Sequence, residues 1–321
     1  MMKRMQKSIL IVGFLLVSCI CSRAERVELI PYGDMDSWVT RYIQESKMLS
    51  GKTVTIYAIG PTDTIWTTAP FDYTKSGNPW SVSNAYARVL GMDKASGTTR
   101  PERRGDGWCA RMDCKLEVVQ ALKLDVKVQI AGTIFIGYTY EPVPLKGVSD
   151  PYSVVEMGRP YTRHPKAIQL DYKAKVDESN VIMRATGVGI VKKMQGRDCA
   201  EVYAYLQHRW EENGKVYATR VATAYERIWN DVPTWQNNHR IPFRYGDITQ
   251  QPNYKDYEGL NVHNFKAKNA DGKMVKVNEV GYSNDKPTHL VLMISSGCYP
   301  AFTGHDGNTL WVDNVSLVYE E

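Results

Sequence analysis

The sequence predicts an all-β protein, an antiparallel β-sandwich with a few short helices. Three observations predict it. Apolar and polar residues alternate over many short stretches. Turn-like runs rich in Gly, Pro, Asn and Asp, such as "KSGNPW", "EENGK" and "NADGK", separate them. Twenty tyrosines, eight tryptophans and 24 glycines suit strands and turns better than a helical bundle.

In chain order, "DSWVTRYIQESK" (36–47) has the spacing of a short amphipathic helix, and "KTVTIYAI" (52–59) follows as a strand. The region from Lys115 to Ala121 reads as a second short helix. "LKLDVKVQI" (122–130) shows clean period-2 alternation, which gives a strand with one buried and one wet face. Further strands are "AIQLDYKAKV" (167–176), "EVYAYLQHRW" (201–210), "ATRVATAYERI" (218–228) and "HLVLMISS" (289–296). The last, "GNTLWVDNVSLVYEE" (307–321), carries Asp313 on the same parity as Trp311, Val315, Leu317 and Tyr319, so an acid is expected where apolar side chains point. With no linker, repeat or composition break, residues 25–321 read as one domain of sandwich architecture.

Residues 1–24 read as an export signal. Lys3, Arg4 and Lys7 precede an apolar run at 9–17 that is too short to span a membrane. "SRA" before Glu25 offers one cleavage site. "LVSC" offers another, a lipoprotein signal in which Cys19 becomes the acylated N-terminus. The expected location is therefore the periplasm, outer membrane or extracellular space. Removing the leader takes away four basic residues and no acid, which lowers the net charge from +5 to +1. That balance gives no electrostatic reason to expect nucleic acid as a partner. The mature chain keeps Cys109, Cys114, Cys199 and Cys298, which allow three disulfide connectivities or remain as buried thiols.

Familiar catalytic and cofactor motifs fail. "SGKT" at 50–53 is similar to a phosphate-binding loop, but Ser46 stands where that loop needs glycine. "GVGIVK" lacks the third glycine of a dinucleotide fingerprint. HExxH, GxSxG and CxxC are absent, and the six histidines show no metal-ligand spacing. No nucleophile and base stand out, and no organic cofactor is expected.

Five segments in order carry a resemblance: "PWSVSNAYARVLG" (79–91), "DGWCARMDCKLEV" (106–118), "QIAGTIFIG" (129–137), "MGRPYTRHPKAIQLDYKAKV" (157–176) and "ISSGCYPAFTGHDGNTLWVDNVSLVYE" (294–320). Together they resemble the putative carbohydrate metabolism domain family of secreted bacterial proteins. The resemblance implies a jelly-roll sandwich and an association with polysaccharide use. "YGDMDSW" (32–38) is similar to the turn that opens many carbohydrate-binding jelly rolls. There an acid on the first strand and an aspartate on the last hold a structural calcium, which maps here to Asp36 and Asp313. Calcium would neutralise carboxylates that are costly to bury. Asp36 stands where glutamate is usual, which shortens the reach. The competing account has Asp313 capping a bulge or turn with Asn314 and Asp36 capping a helix near Ser37.

Sugar binding calls for aromatic rings against pyranose C–H faces, with polar groups to read hydroxyls. Trp80, Trp108, Tyr161, Trp235 and Tyr299 lie in or beside predicted loops, with Arg159, Asp231 and Asn237 as polar candidates. Any one tryptophan can equally be core, and Trp311 is expected there. The leading expectation is an exported glycan-binding protein. The rivals are a glycoside hydrolase or lyase with an acid pair across an aromatic groove, and a structural or adhesive envelope protein.

Overall fold

The computed structural model describes residues 24–66, 77–121, 124–144, 146–147, 150–188 and 190–321. The predicted leader, residues 122–123 and part of the "KSGNPW" turn lie outside them. Two sheets make the sandwich. The first runs in the order Val232–Pro242, Ala167–Lys175, Thr309–Glu320, Gly107–Asp113, Thr99–Arg104, with Glu25–Leu29 also pairing along Thr309–Glu320. The second runs Val155–Met157, Thr133–Thr139, His289–Ser295, Ala200–Glu212, Lys215–Ile228, Met274–Tyr282, Lys266–Lys268, with three short strands at its sides. Pairing is antiparallel except between Lys215–Ile228 and Met274–Tyr282 and between Trp38–Gln44 and Asp63–Trp66. The fold is the all-β sandwich that the sequence predicts.

Alternation places the core. Ile168, Leu170, Tyr172 and Ala174 of the first sheet pack with Val202, Ala204, Leu206, Leu290, Leu292 and Ile294 of the second. Fully burying one such aliphatic side chain contributes about 1.5–3 kcal/mol. The opposite parity of the second sheet is also covered. Tyr203, Tyr205, Tyr225, Phe135, Phe265 and Val291 form a separate cluster on its other face. Tyr203 stacks on His263 at 4.2 Å and lies 5.1 Å and 5.4 Å from Tyr205 and Tyr225.

Two expected helices are strands. Trp38–Gln44 pairs antiparallel with Thr53–Ile59, and Lys115–Ala121 pairs with Leu124–Ile130. Both segments are rich in β-branched residues, and in each the ladder with a neighbour overrides the helical spacing. In the first, Arg41 is buried and its guanidinium forks onto Glu141 at 2.6 and 3.1 Å. Among the described residues, short helical turns occur at Pro151–Val154 and Asp256–Glu258. Cys109, Cys114, Cys199 and Cys298 are free thiols, the first three buried.

The C-terminal strand explains its own acid. Ser316 pairs with Gln169 and Asp313 with Asp171, so two residues of one strand face one of the other. This is a β-bulge, with Asn314 in the left-handed region at φ 53°, a conformation asparagine tolerates better than most residues. The extra residue switches parity. Leu310 and Val312 point into the core before the bulge, and Val315, Leu317 and Tyr319 after it. Trp311 and Asp313 therefore face outward, and Trp311 is half-buried on the outer face instead of core as expected.

Candidate functional site

A cavity of about 1240 Å³ lies against the second face of the larger sheet. That sheet contributes Phe135, Glu201, Tyr203, Arg227 and Met293, and the following loops contribute Trp229, Tyr257 and Tyr299. Other lining comes from the hairpin Ala85–Val89/Met92–Ser96 and from Val126, Val128 and Ile130. Half-buried Val126, Val128 and Ile130 of the cleanest alternating stretch thus face a cavity.

On the large sheet, charge enters through one cross-strand pair, and Lys94, Glu117 and Arg197 line the cavity elsewhere. Glu201 lies opposite Arg227 across the ladder. Its carboxyl accepts from Tyr225 Oη at 2.7 Å and from Arg227 Nε at 3.2 Å. Burial nonetheless pushes the Glu201 carboxyl above its ordinary range, against the pull of Arg227. The Arg227 guanidinium lies 3.9 Å over the Tyr257 ring and 5.8 Å from that of Trp229. His263, buried beside them, is held down to about 3 by burial and by Arg220 and Arg227, so its ring is neutral near pH 7. Four buried polar atoms without a protein partner, Ser96 Oγ, Gln129 Oε1, Arg197 Nε and His263 Nε2, belong to residues that line the cavity. Such atoms are uncommon in folded proteins and mark a place where a polar ligand or water completes the bonding.

One buried acid holds the loop that carries Tyr299. Asp198 Oδ1 accepts from the backbone N–H of Cys199 and of Cys298, both at 2.9 Å, and Oδ2 accepts from His305 N at 2.8 Å. The start of one strand and the loop 297–305 are thereby tied to a single carboxylate. A Cβ at Gly196 would lie 2.5 Å from Tyr299 Oη, so a larger residue there would push the ring from this position.

Residues 62–318 match the model of a family described as Putative carbohydrate metabolism domain. The chain belongs to that family. No curated protein matches it. Two solved structures are similar. One is a protein described as a putative glycoside hydrolase from Bacteroides thetaiotaomicron, at 18% identity and a TM-score of 0.47, over 87% of this chain and 71% of that one. The other is a protein described in the same words from Bacteroides vulgatus, at 14% identity and a TM-score of 0.41, over 91% and 94%.

The carbohydrate metabolism domain scatters the residues picked from sequence. Tyr299 alone lines the cavity. Trp80 is fully buried in the core and donates Nε1 to Pro31 O at 2.9 Å, so it offers no platform. Tyr161 packs against the core with its hydroxyl 2.7 Å from that of Tyr319. Arg159 lies 3.2 Å over Tyr138, donates to Asn78 O, and is lowered by burial to about 10. Asp231 accepts from Val176 N at 2.6 Å, which makes it a loop tie. Trp108 and Trp235 are half-buried on the first sheet, and each carries a guanidinium over its ring, Arg103 at 4.2 Å and Arg104 at 3.9 Å. Arg111 and Lys173 sit over Trp311 in the same way, at 5.1 and 4.4 Å. These cations occupy ring faces that a sugar would need.

The sequence reading missed Glu201, Arg227 and Trp229. The signal was present in "EVYAYLQHRW", where Glu201, Tyr203, Tyr205 and Gln207 share one parity opposite an apolar row. Alternation alone would turn this polar parity to solvent, whereas the second cluster and the cavity cover it.

Asp36 and Asp313 have partners of their own. Asp36 Oδ1 accepts from Trp108 N at 2.7 Å, and no helix begins at Ser37. Arg104 lies between Asp313 and Asp171, at 2.6 and 2.8 Å. Asp313 Oδ1 also accepts from Asn314 N at 2.8 Å. A calcium ion held by Asp36 and Asp313 would have to displace Arg104 and the Trp108 N–H. Among the described residues no group of three or more His, Cys, Asp and Glu side chains is placed to hold a metal. This donor set does not fit the ion, so EDTA is expected to leave the melting temperature unchanged; a fall in EDTA would restore calcium.

Burial raises Asp313 to about 6, with the Asp171 charge adding to it and Arg104 opposing it. A folded-state pKa above the unfolded one means that this carboxyl contributes stability below about pH 4 that is lost as pH rises through about 6. Asp313→Asn should remove that part of the slope. Urea melts at pH 4 and pH 7 check it, and an unchanged slope in the variant would contradict it.

Proposed function

We propose that this chain is a glycan-binding protein that supports polysaccharide recognition or use at a bacterial envelope. The supporting observation is the cavity wall on which half-buried Trp229, Tyr257 and Tyr299 stand beside Arg197 and Arg227. Rings of this kind accept pyranose faces, and the partnerless Arg197 and His263 nitrogens can bond hydroxyls. Membership of a carbohydrate metabolism family agrees with it. Trp229→Ala and Tyr299→Ala should each weaken retention on a polysaccharide affinity gel roughly tenfold or more. Their melting temperatures should stay close to that of the parent. Unchanged retention in both variants would remove the cavity as the site.

A second reading, hydrolysis, is favoured by Glu201, whose carboxyl is pushed by burial above the usual carboxylate range in an aromatic setting, the direction a general acid needs. New reducing ends from a polysaccharide panel, lost in Glu201→Gln, would establish it. Their absence would leave binding alone. Export, with acylation of Cys19, belongs to the same proposal. Mass spectrometry of the N-terminus of protein recovered from cells tests it.

A further inference from the structure

The cavity has two chemistries. Strand ends and loops of the large sheet supply Glu201, Arg227, Trp229, Tyr257 and Tyr299. The hairpin and the sheet that contains Leu124–Ile130 supply Val89, Met92, Val126, Val128 and Ile130, an aliphatic, partly exposed row without aromatic faces, with Lys94, Ser96, Glu117 and Gln129 as its polar neighbours. A plain oligosaccharide matches the first wall better. Along the aliphatic row of the second, its hydroxyls would lose water for few partners. A plain hydrocarbon matches only the second, and it would leave Arg197 Nε and His263 Nε2 unbonded. The aliphatic row is also built regularly. On the hairpin Ala85, Ala87 and Val89 pair with Ser96, Lys94 and Met92, and all six line the cavity, while Tyr86 and Ala95 of the opposite parity are packed into a small core of their own. The face turned to the cavity is therefore one that the hairpin does not use for its own packing.

We propose that the cavity takes an amphipathic glycan, a sugar bearing an alkyl or acyl chain. The sugar lies against Trp229, Tyr257 and Tyr299, and the chain lies along Val89, Met92, Val126 and Val128. This rests on the glycan reading above and names the ligand class for the same site.

Titration calorimetry of the full protein tests it, with alkyl glucosides, galactosides and mannosides of six, eight and ten carbons kept below micelle formation. Free sugars and the matching alkanols are the controls. At least one head group should gain affinity with chain length, up to about fourfold per methylene for full burial. Met92→Ser and Val128→Ser should flatten that gain, and Trp229→Ala should erase the preference among head groups. Having two separate wall variants guards against a fold defect in either. If free sugars bind as tightly as their alkylated forms, the amphipathic inference falls and the glycan reading stands. If alkanols bind as tightly as glycosides of equal length, both fall. Absence of binding by any alkyl glycoside overturns the inference, and retention on the polysaccharide gel then decides the glycan reading separately.

Discussion

Arg220→Met is expected to cost roughly 3–5 kcal/mol of folding stability, the range for breaking one partner of a buried ion pair. Arg220 and Glu279 are both fully enclosed, joined at 2.6 Å through Nε and 2.5 Å through the second guanidinium nitrogen. The guanidinium also donates to Glu258 O at 3.0 Å and Gly259 O at 3.2 Å, and it covers the Tyr205 ring at 3.6 Å. Burial by itself would raise the Glu279 carboxyl, but Arg220 and the N–H of Asn261 hold it below the ordinary range. In the parent protein Glu279 thus contributes stability above pH 4.5 that fades as pH falls through its lower folded value. In Arg220→Met the donors Asn261 N–H and Gln207 Nε2 remain, but burial is the largest influence on the carboxyl and outweighs them, so the sign reverses and stability should fall as pH rises. The double variant Arg220→Met/Glu279→Leu should recover most of the loss, because an apolar pair of similar volume leaves no unpaired charge. Urea melts at pH 5 and pH 8 measure all three. A loss in the single variant below about 1 kcal/mol would show that the pair is not sealed from water.

Asp198→Ala is the second large effect, a loss on the order of 3 kcal/mol. Three backbone donors, on Cys199, Cys298 and His305, would lose their shared acceptor in a buried setting. Asp198→Asn keeps one oxygen and should lose about half as much. Because the carboxylate anchors the loop that carries Tyr299, the alanine variant should also weaken ligand retention at temperatures where it is still folded. Melting curves with retention assays at 10 °C separate the two effects. Full stability in the alanine variant would mean that water replaces the carboxylate.

The strands were largely legible because alternation is a local property of the chain. Ala167–Lys175, Ala200–Glu212 and His289–Ser295 follow from it directly. Trp38–Gln44 was not, because its residues satisfy a helical spacing and only pairing with Thr53–Ile59 decides against it. The site was hardest to see. Tyr299 was reachable because it lies in a loop, where an exposed ring stands out. Glu201 and Arg227 lie within long strands and meet only through the register of two strands, which no stretch of sequence displays. Trp80 and Trp311 exchanged expected places. A fully buried ring beside a loop and a half-exposed ring inside a strand both invert the usual association of loops with surface.

The bulge at Asp313 and Asn314 divides the last strand into two halves of opposite phase. Deleting Asn314 would put Leu310, Val312, Val315, Leu317 and Tyr319 on one alternating row, so a strand one residue shorter keeps all five in the core with no bulge. Straightening the bulge with Asn314 retained is what forces a choice. Either Leu310 and Val312 turn to solvent while Trp311 and Asp313 enter the core, or Val315, Leu317 and Tyr319 leave it. A relative that lacks one residue here would run through as a regular strand against Leu170.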